Sequence, residues 1–345
     1  MNDPALQWLL QQPDSGTCVW LCDEHFYGHE HHLPRGEHHL YICNRYDITQ
    51  AIQAAGRIAL FSDFADADLP DSIDTLYYRI SKEKPVVHRA LNIARQRLNT
   101  GAQLHLAGLK NEGAKTYLDK AAKLLGAPKS TQKNGSAYCA SIALNERHTP
   151  LDDSDYNQLR ALAKSPDFIT KPGQFGWQKV DEGSAFLLAQ LKEHQALAQC
   201  DSLLDLGCGY GYLGVSAASE LMNDPPAQLV LTDNNAAAIL SARENLSGFQ
   251  LQGEVIAGDC GDTVNGRFDR VLCNPPFHQG FSLSQDLTER FVKSAALHLH
   301  RKGCAWFVVN SFIPAEQKAK PYFKKIECIA NNKQFKVLAL SEPSV

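Results

Sequence analysis

Ser202-Leu203-Leu204-Asp205-Leu206-Gly207-Cys208-Gly209-Tyr210-Gly211 is the stretch that decides the fold. Residues 202–206 read as a short strand with no polar alternation, as expected of a strand covered on both faces. Gly207, Gly209 and Gly211 then mark a tight turn, and residues 212–222 read as a helix. Glycine lets the backbone approach a ligand without a Cβ in the way. The helix N-terminus behind the turn presents unpaired N–H groups, which suits a carboxylate or phosphate. Asp205 could orient a ligand ammonium, directly or through water. Dinucleotide-binding proteins share such a turn, and a tight strand–helix connection needs no ligand, so the turn by itself leaves the cofactor open.

Downstream, strand and helix signals alternate. Strands are predicted over residues 228–232, 253–257, 268–273 and 304–310, and helices over 236–246, 288–299 and 315–325. This alternation predicts a parallel sheet with helices on both faces. Each strand delivers a polar residue at its C-terminal end, the side on which open α/β sheets bind ligands. Asp233 could accept both ribose hydroxyls of a nucleoside, or it could cap the following helix, a role open also to Asn234 and Asn235. Asp259 could accept from an adenine amine, with the Cys260 backbone N–H facing a ring nitrogen. It could also be an ordinary turn residue in Gly258-Asp259-Cys260-Gly261.

The fourth strand ends in Asn274-Pro275-Pro276-Phe277. Two prolines fix consecutive φ angles, and Asn274, preceding a proline, is pushed out of the helical region. The Asn274 side-chain oxygen and the Pro275 carbonyl can then converge on one NH₂ group. Both accept hydrogen bonds, and both favour positive charge developing on the nitrogen. An exocyclic amine on a purine is a poor nucleophile because its lone pair is delocalised into the ring. Holding its protons directs the lone pair at an electrophile, and positioning supplies much of the rate. Phe277 is placed to stack on a base that has left its helix. Together the two motifs point to methyl transfer from S-adenosylmethionine (SAM) to a planar nitrogen.

The first half repeats the pattern of the second. Asp74-Thr75-Leu76-Tyr77-Tyr78 parallels Asp269-Arg270-Val271-Leu272-Cys273, and helix, turn, strand and helix follow in the same order. The first copy has neither the glycine turn nor the Asn-Pro-Pro-Phe loop. We therefore expect two tandem Rossmann-like α/β domains, residues 1–160 and 161–345, the first degenerate at its cofactor site. Asp152, Asp153 and Asp155, followed by a proline-containing run, read as the linker.

At 345 residues the chain exceeds what one core usually organises. No apolar run approaches the ~20 residues of a membrane span, and residues 1–12 lack a basic leader region. The ten cysteines are scattered, which suits free thiols in a reducing cytoplasm. The histidines between His29 and His39 read as a polar loop, with no metal site expected. A net charge of −4 is unfavourable for binding nucleic acid broadly. Lys318, Lys320, Lys324, Lys325, Lys333 and Lys336 cluster near the C-terminus and read as the solvated face of a helix and an edge strand.

Several stretches resemble the ribosomal RNA guanine-N2 methyltransferases, in particular the RsmC type that modifies 16S rRNA. They are Pro172-Gly173-Gln174-Phe175-Gly176, residues 181–188 (Asp-Glu-Gly-Ser-Ala-Phe-Leu-Leu), Leu204 to Gly209, Gly266-Arg267-Phe268-Asp269, Asn274 to Gly280, and Phe335-Lys336-Val337. The resemblance covers residues 170–340, and the duplicated layout extends it to the whole chain. It implies a class I methyltransferase fold, with SAM at the Gly207/Gly209 turn and the target amine at Asn274. It also implies a first copy that aids RNA binding or folding. The expected partner is 16S rRNA in the 30S subunit, with the protein acting as a cytoplasmic monomer. Methylation of 23S rRNA, N5 methylation of a protein glutamine, and a non-catalytic RNA-binding assembly factor are the competing readings. Glutamine methyltransferases carry Tyr at the last loop position, where this chain has Phe277.

Overall fold

The strand Ser202–Leu206 is buried along its whole length because helices cover both faces of the sheet it centres. The computed structural model describes residues 3–128, 130–276 and 281–344, with only the backbone described for 281–286. The chain divides into two compact units, residues 1–158 and 159–345.

In the first unit the strands are β1 (Cys18–Cys22), β2 (His39–Cys43), β3 (Ile58–Phe61), β4 (Ile73–Arg79), β5 (Leu98–Leu109), β6 (Gln132–Asn134) and β7 (Ala137–Ala143). They form one sheet in the order β3-β2-β1-β4-β5-β7-β6, parallel except for β7 and its partner β6 at one edge. The helices are α1 (Pro4–Leu9), α2 (Tyr46–Ala54), α3 (Lys84–Arg97) and α4 (Ala114–Leu124).

The second unit opens with a hairpin, β8 (Arg160–Leu162) and β9 (Ser165–Thr170), and helix α5 (Glu182–Glu193). Its main strands are β10 (Ser202–Leu206), β11 (Gln228–Asp233), β12 (Glu254–Ala257), β13 (Phe268–Cys273), β14 (Leu299–Asn310), β15 (Phe323–Asn331) and β16 (Phe335–Pro343). Their order is β12-β11-β10-β13-β14-β16-β15, the same as in the first unit. Helices α6 (Tyr212–Glu220), α7 (Ala236–Gly248), α8 (Phe281–Leu297) and α9 (Ala315–Ala319) complete it. Apolar clusters pack on both faces of each sheet.

The duplication extends to register. In the first unit Ile73 pairs Leu98 and Thr75 pairs Gln103 across a bulge; in the second, Phe268 pairs Leu299 and Arg270 pairs Cys304 across the same bulge. The Asp74 carboxylate accepts from the Thr17 N–H at 2.8 Å, and its counterpart Asp269 accepts from the Ser202 N–H at 3.1 Å. Pairing then sets Trp20 at the position of Asp205, Cys43 at that of Asp233 and Arg79 at that of Asn274. Trp20 stacks flat on Tyr77, with ring centroids 3.9 Å apart. Arg79 is buried between Asp3 and Glu112. The positions at which the second unit offers polar groups are thus spent on packing and internal ion pairs in the first.

One expectation is corrected. The helix expected over 315–325 stops at Ala319, because Pro321 cannot continue it and Phe323 enters the edge strand β15 as a buried residue. The stretch read as a linker does hold the division between the units, at Gln158 and Leu159, and its first part is packed. Asn92 Nδ2 donates to the Leu151 carbonyl and to Asp153, and the buried Tyr156 donates to Asp63 at 2.8 Å. Residues 160–170 are the β8–β9 hairpin.

Candidate active site

The glycine turn sits where β10 delivers the chain to α6. Gly207, Gly209 and Gly211 all have positive φ (78°, 56° and 88°), which side-chain-bearing residues rarely adopt. A Cβ on Gly211 would stand 2.9 Å from Leu231, so that glycine is fixed by packing. A Cβ on Gly209 would meet nothing within 4 Å, so that glycine borders open space.

Asp205 lies beneath the turn with no exposed surface. One carboxylate oxygen accepts from the Gly214 N–H at 2.7 Å; the other, Oδ1, has no hydrogen-bond partner among the described residues. Burial pushes its pKa up to about 7, the Gly214 N–H working against that rise and the nearby Asp233 charge adding to it. Asp233 ends β11, accepting from the Gly209 N–H at 2.8 Å and from the Asn235 N–H at 2.9 Å. Asn235 caps α7, so Asp233 is not needed for that task.

Asn274 leaves β13 beside this turn. Its Nδ2 donates to Asp181 Oδ2 at 2.7 Å and to Ser184 Oγ at 2.8 Å. An ionised carboxylate only accepts, so the nitrogen of the amide must face Asp181. The amide oxygen is left as the acceptor. Asp181, Ser184, Gly207, Gly209, Tyr210 and Asn274 line one cleft, together with the exposed ring of Phe175. Pro275 is buried and Pro276 exposed; Phe277 lies outside the described residues.

Asp259 and Cys260 follow β12 and do not line that cleft. The Asp259 carboxylate forms an ion pair with Arg290 of α8, and its backbone N–H donates to Asp262. Cys260 has a positive φ of 51°. Of the C-terminal lysines, Lys336 is buried against Glu316, Lys318 pairs with Glu289 and Lys325 with Glu327; Lys320, Lys324 and Lys333 are exposed. All ten cysteines are free thiols. Among the described residues, Cys18, His38 and His39 come within 4.8 Å of one another. The two ring nitrogens of His39 already face Trp20 Nε1, the donor at 3.4 Å, and Asp14 Oδ2 at 3.0 Å.

Reading from sequence alone passed over Asp181 and Ser184 as site residues. Their signal was present, since an Asp three residues before a Ser at a helix start marks an N-cap. Asp181 does cap α5, accepting from the Ser184 N–H at 2.9 Å. The placement of the cleft also rests on Asn245, which is buried. Its Nδ2 donates to the Ile169 and Tyr210 carbonyls and its Oδ1 accepts from the Ile169 N–H, tying β9 to the glycine turn.

The residues fit a SAM-sized cofactor on three observations. These are the open face at Gly209 and, among the described residues, the unpartnered buried oxygen of Asp205 and the similarly unpartnered Tyr210 hydroxyl in the cleft wall. No helix among the described residues is long and apolar enough to cross a membrane.

Comparison with known proteins agrees. Residues 165–339 match the model of the Methyltransferase small domain family. The chain is 32% identical to the ribosomal RNA small subunit methyltransferase C of Erwinia tasmaniensis, over 82% of this chain and 80% of that one. It is 30% identical to the Klebsiella pneumoniae protein of that name, over 87% and 82%. A T. thermophilus 16S rRNA N2 methyltransferase (RsmC), solved with AdoMet and guanosine, superposes with a TM-score of 0.80 over 99% of this chain and 92% of that one. At 23% identity, that likeness speaks for the fold. With its duplicated seven-stranded sheets and a single copy that keeps the glycine turn and the Asn-Pro-Pro loop, this chain belongs to the ribosomal RNA small subunit methyltransferase C family.

Proposed function

We propose that the protein transfers a methyl group from SAM to the exocyclic N2 of one guanine in 16S rRNA. The orientation of Asn274 carries this reading. With both amide protons spent on Asp181 and Ser184, its oxygen accepts from the guanine amine and turns the nitrogen lone pair toward the methyl donor. When bound, SAM supplies an electrophilic methyl on a sulfonium centre. Gly207, Gly209, Asp205 and Asp233 hold that cofactor, and Asp259 and Cys260 flank its base end, where the pairing of Asp259 with Arg290 has to accommodate the adenine amine. Asn274 and the Pro275 carbonyl direct the amine, and Phe277 stacks on the extruded base. No strong base is required, because the methylated ammonium loses its proton to water readily. The first unit supports folding and RNA engagement, the substrate is the 30S particle, and the enzyme works as a cytoplasmic monomer.

Incubation with methyl-labelled SAM and, separately, undermethylated 30S subunits, 50S subunits and a release factor tests the proposal. Label on an N2-guanine of 16S rRNA is expected. Label on 23S rRNA or on a glutamine would overturn the substrate while keeping the chemistry at Asn274. Absence of label in every arm, with SAM bound, would favour the assembly-factor reading.

A further inference from the structure

Asp181 and Ser184 converge on one atom, the amide nitrogen of Asn274, across 93 and 90 residues of chain. The two bonds use both protons of that nitrogen. A free asparagine amide can turn over, exchanging its oxygen for its nitrogen, and in this cleft the turned form would present donors to an amine that has only protons to offer. The carboxylate of Asp181 forbids that form, because oxygen against oxygen is repulsive and neither group can donate.

The carboxylate also polarises the amide. Charge-assisted bonds are shorter and stronger than neutral ones, and the 2.7 Å separation fits that class. Pulling on Nδ2–H drives electron density onto Oδ1, the atom facing the substrate. Ser184 is 8% exposed and sits in the first turn of α5, so its hydroxyl is held by the helix. Asp181 is immobilised by its own bond to the Ser184 N–H. The start of α5 is therefore a rigid cradle for Asn274, with a negative charge behind the amide and a hydroxyl beside it.

We propose that Asp181 and Ser184 are positioning residues for methyl transfer, locking Asn274 with its oxygen toward the acceptor amine and raising the negative charge on that oxygen. The proposal rests on the reading of Asn274 given above and extends it to residues that touch neither the methyl group nor the amine.

Ser184→Ala is the cleaner variant, because it keeps the backbone N–H that Asp181 caps. It should lower kcat by about tenfold, with KM for RNA and SAM affinity within about twofold. Ser184→Thr, which restores a hydroxyl, should recover most of the loss. Asp181→Asn can keep the one oxygen that both caps α5 and faces Asn274 but loses its charge, so kcat should fall further, by about thirtyfold. In an Asn274→Ala background, Ser184→Ala should make no further difference.

A second readout is independent of substrate. In ¹⁵N–¹H spectra of the full chain, the Asn274 side-chain pair is identified by its loss in Asn274→Ala. It should exchange with solvent more slowly than exposed asparagines, and Ser184→Ala should shift it and speed its exchange. A Ser184→Ala enzyme with unchanged kcat, or an Asn274 amide that exchanges freely in the parent, would overturn the proposal. So would Asp181→Asn losing SAM affinity at unchanged kcat, which would make Asp181 a cofactor ligand. A parent chain that methylates no guanine but retains the slow Asn274 amide would sink the functional reading and leave the clamp standing.

Discussion

At the scale of single residues, the proposed function assigns the acceptor amine to Asn274 and the cofactor to Asp205. Asn274→Ala should retain SAM binding within about twofold and lose on the order of 10²–10³ in the methylation rate, the usual cost of removing one preorganised electrostatic group. Single-turnover kinetics beside calorimetry checks this, and unchanged turnover would remove Asn274 from the mechanism. Burial lifts the Asp205 carboxyl to about 7. A cationic ligand group favours the ionised form, so SAM affinity should rise by about tenfold between pH 6 and pH 8 and then level off. In Asp205→Asn that rise should vanish. A parent affinity flat across this range would mean that Asp205 carries no linked proton.

At the scale of elements, the start of α6 packs directly on Asp205, the residue proposed to hold the cofactor. Replacing a helical glycine by alanine ordinarily stabilises by ~1 kcal/mol. Gly214 should behave oppositely, because its Cβ would lie 2.9 Å from the Asp205 Cβ and 3.0 Å from Asp205 Oδ2. Gly214→Ala should lower the melting temperature and weaken SAM binding, as thermal denaturation and calorimetry would report; a more stable variant with parental affinity would refute it. The elements themselves were largely legible. The strand at 202–206, the strand at 268–273 and the helix start at Tyr212 follow from unbroken apolar runs, glycines and prolines. Where reading failed, the cause is physical. The lysine-rich stretch after Ala315 has helical composition, and Pro321 and the burial of Phe323 against the sheet decide otherwise. The clamp on Asn274 was illegible because its partners lie 90 and 93 residues away in sequence, and no local pattern records which side chains a sheet brings together.

At the scale of the whole molecule, the first unit has internal charge pairing where the second has its candidate site residues. Arg79, at the position of Asn274, is bound by Asp3 at 2.8 Å and by Glu112 at 2.5 Å. Arg79→Met strands both carboxylates and should destabilise the first unit by about 3–5 kcal/mol, read as faster hydrogen exchange in β1 and β4. Exchange unchanged from the parent would show that the ion pairs contribute nothing. SAM should bind with a stoichiometry of one, and Arg79→Asn should not create a second site, because Trp20 and Cys43 still occupy the other two positions. Burial disfavours charge on His25, but Asp23 and Glu112 outweigh it and raise its pKa from 6.5 to about 10. Glu112 is also buried, yet bonds from His25, Arg79 and the Leu109 N–H lower its pKa from 4.5 to about 2. The His25 contribution is complete below pH 6.5 and is lost as pH rises toward 10. The Glu112 contribution is complete above pH 4.5 and is lost as pH falls toward 2. Stability of the first unit should therefore decline on the alkaline side, and His25→Gln should flatten that decline in denaturant titrations across pH.

The sequence by itself determined the class of fold, the duplication, the glycine turn and the Asn-Pro-Pro loop. Each is written in contiguous residues whose local physics is strong: glycines at positive φ, prolines with fixed φ, and apolar runs of strand length. Only the tertiary structure decided which way the Asn274 amide faces, that one Asp205 oxygen lacks a partner among the described residues, and that Trp20, Cys43 and Arg79 stand where the second unit has Asp205, Asp233 and Asn274. These depend on register between strands and on hydrogen bonds that span half a domain, and such choices are made by packing rather than by neighbours in the chain.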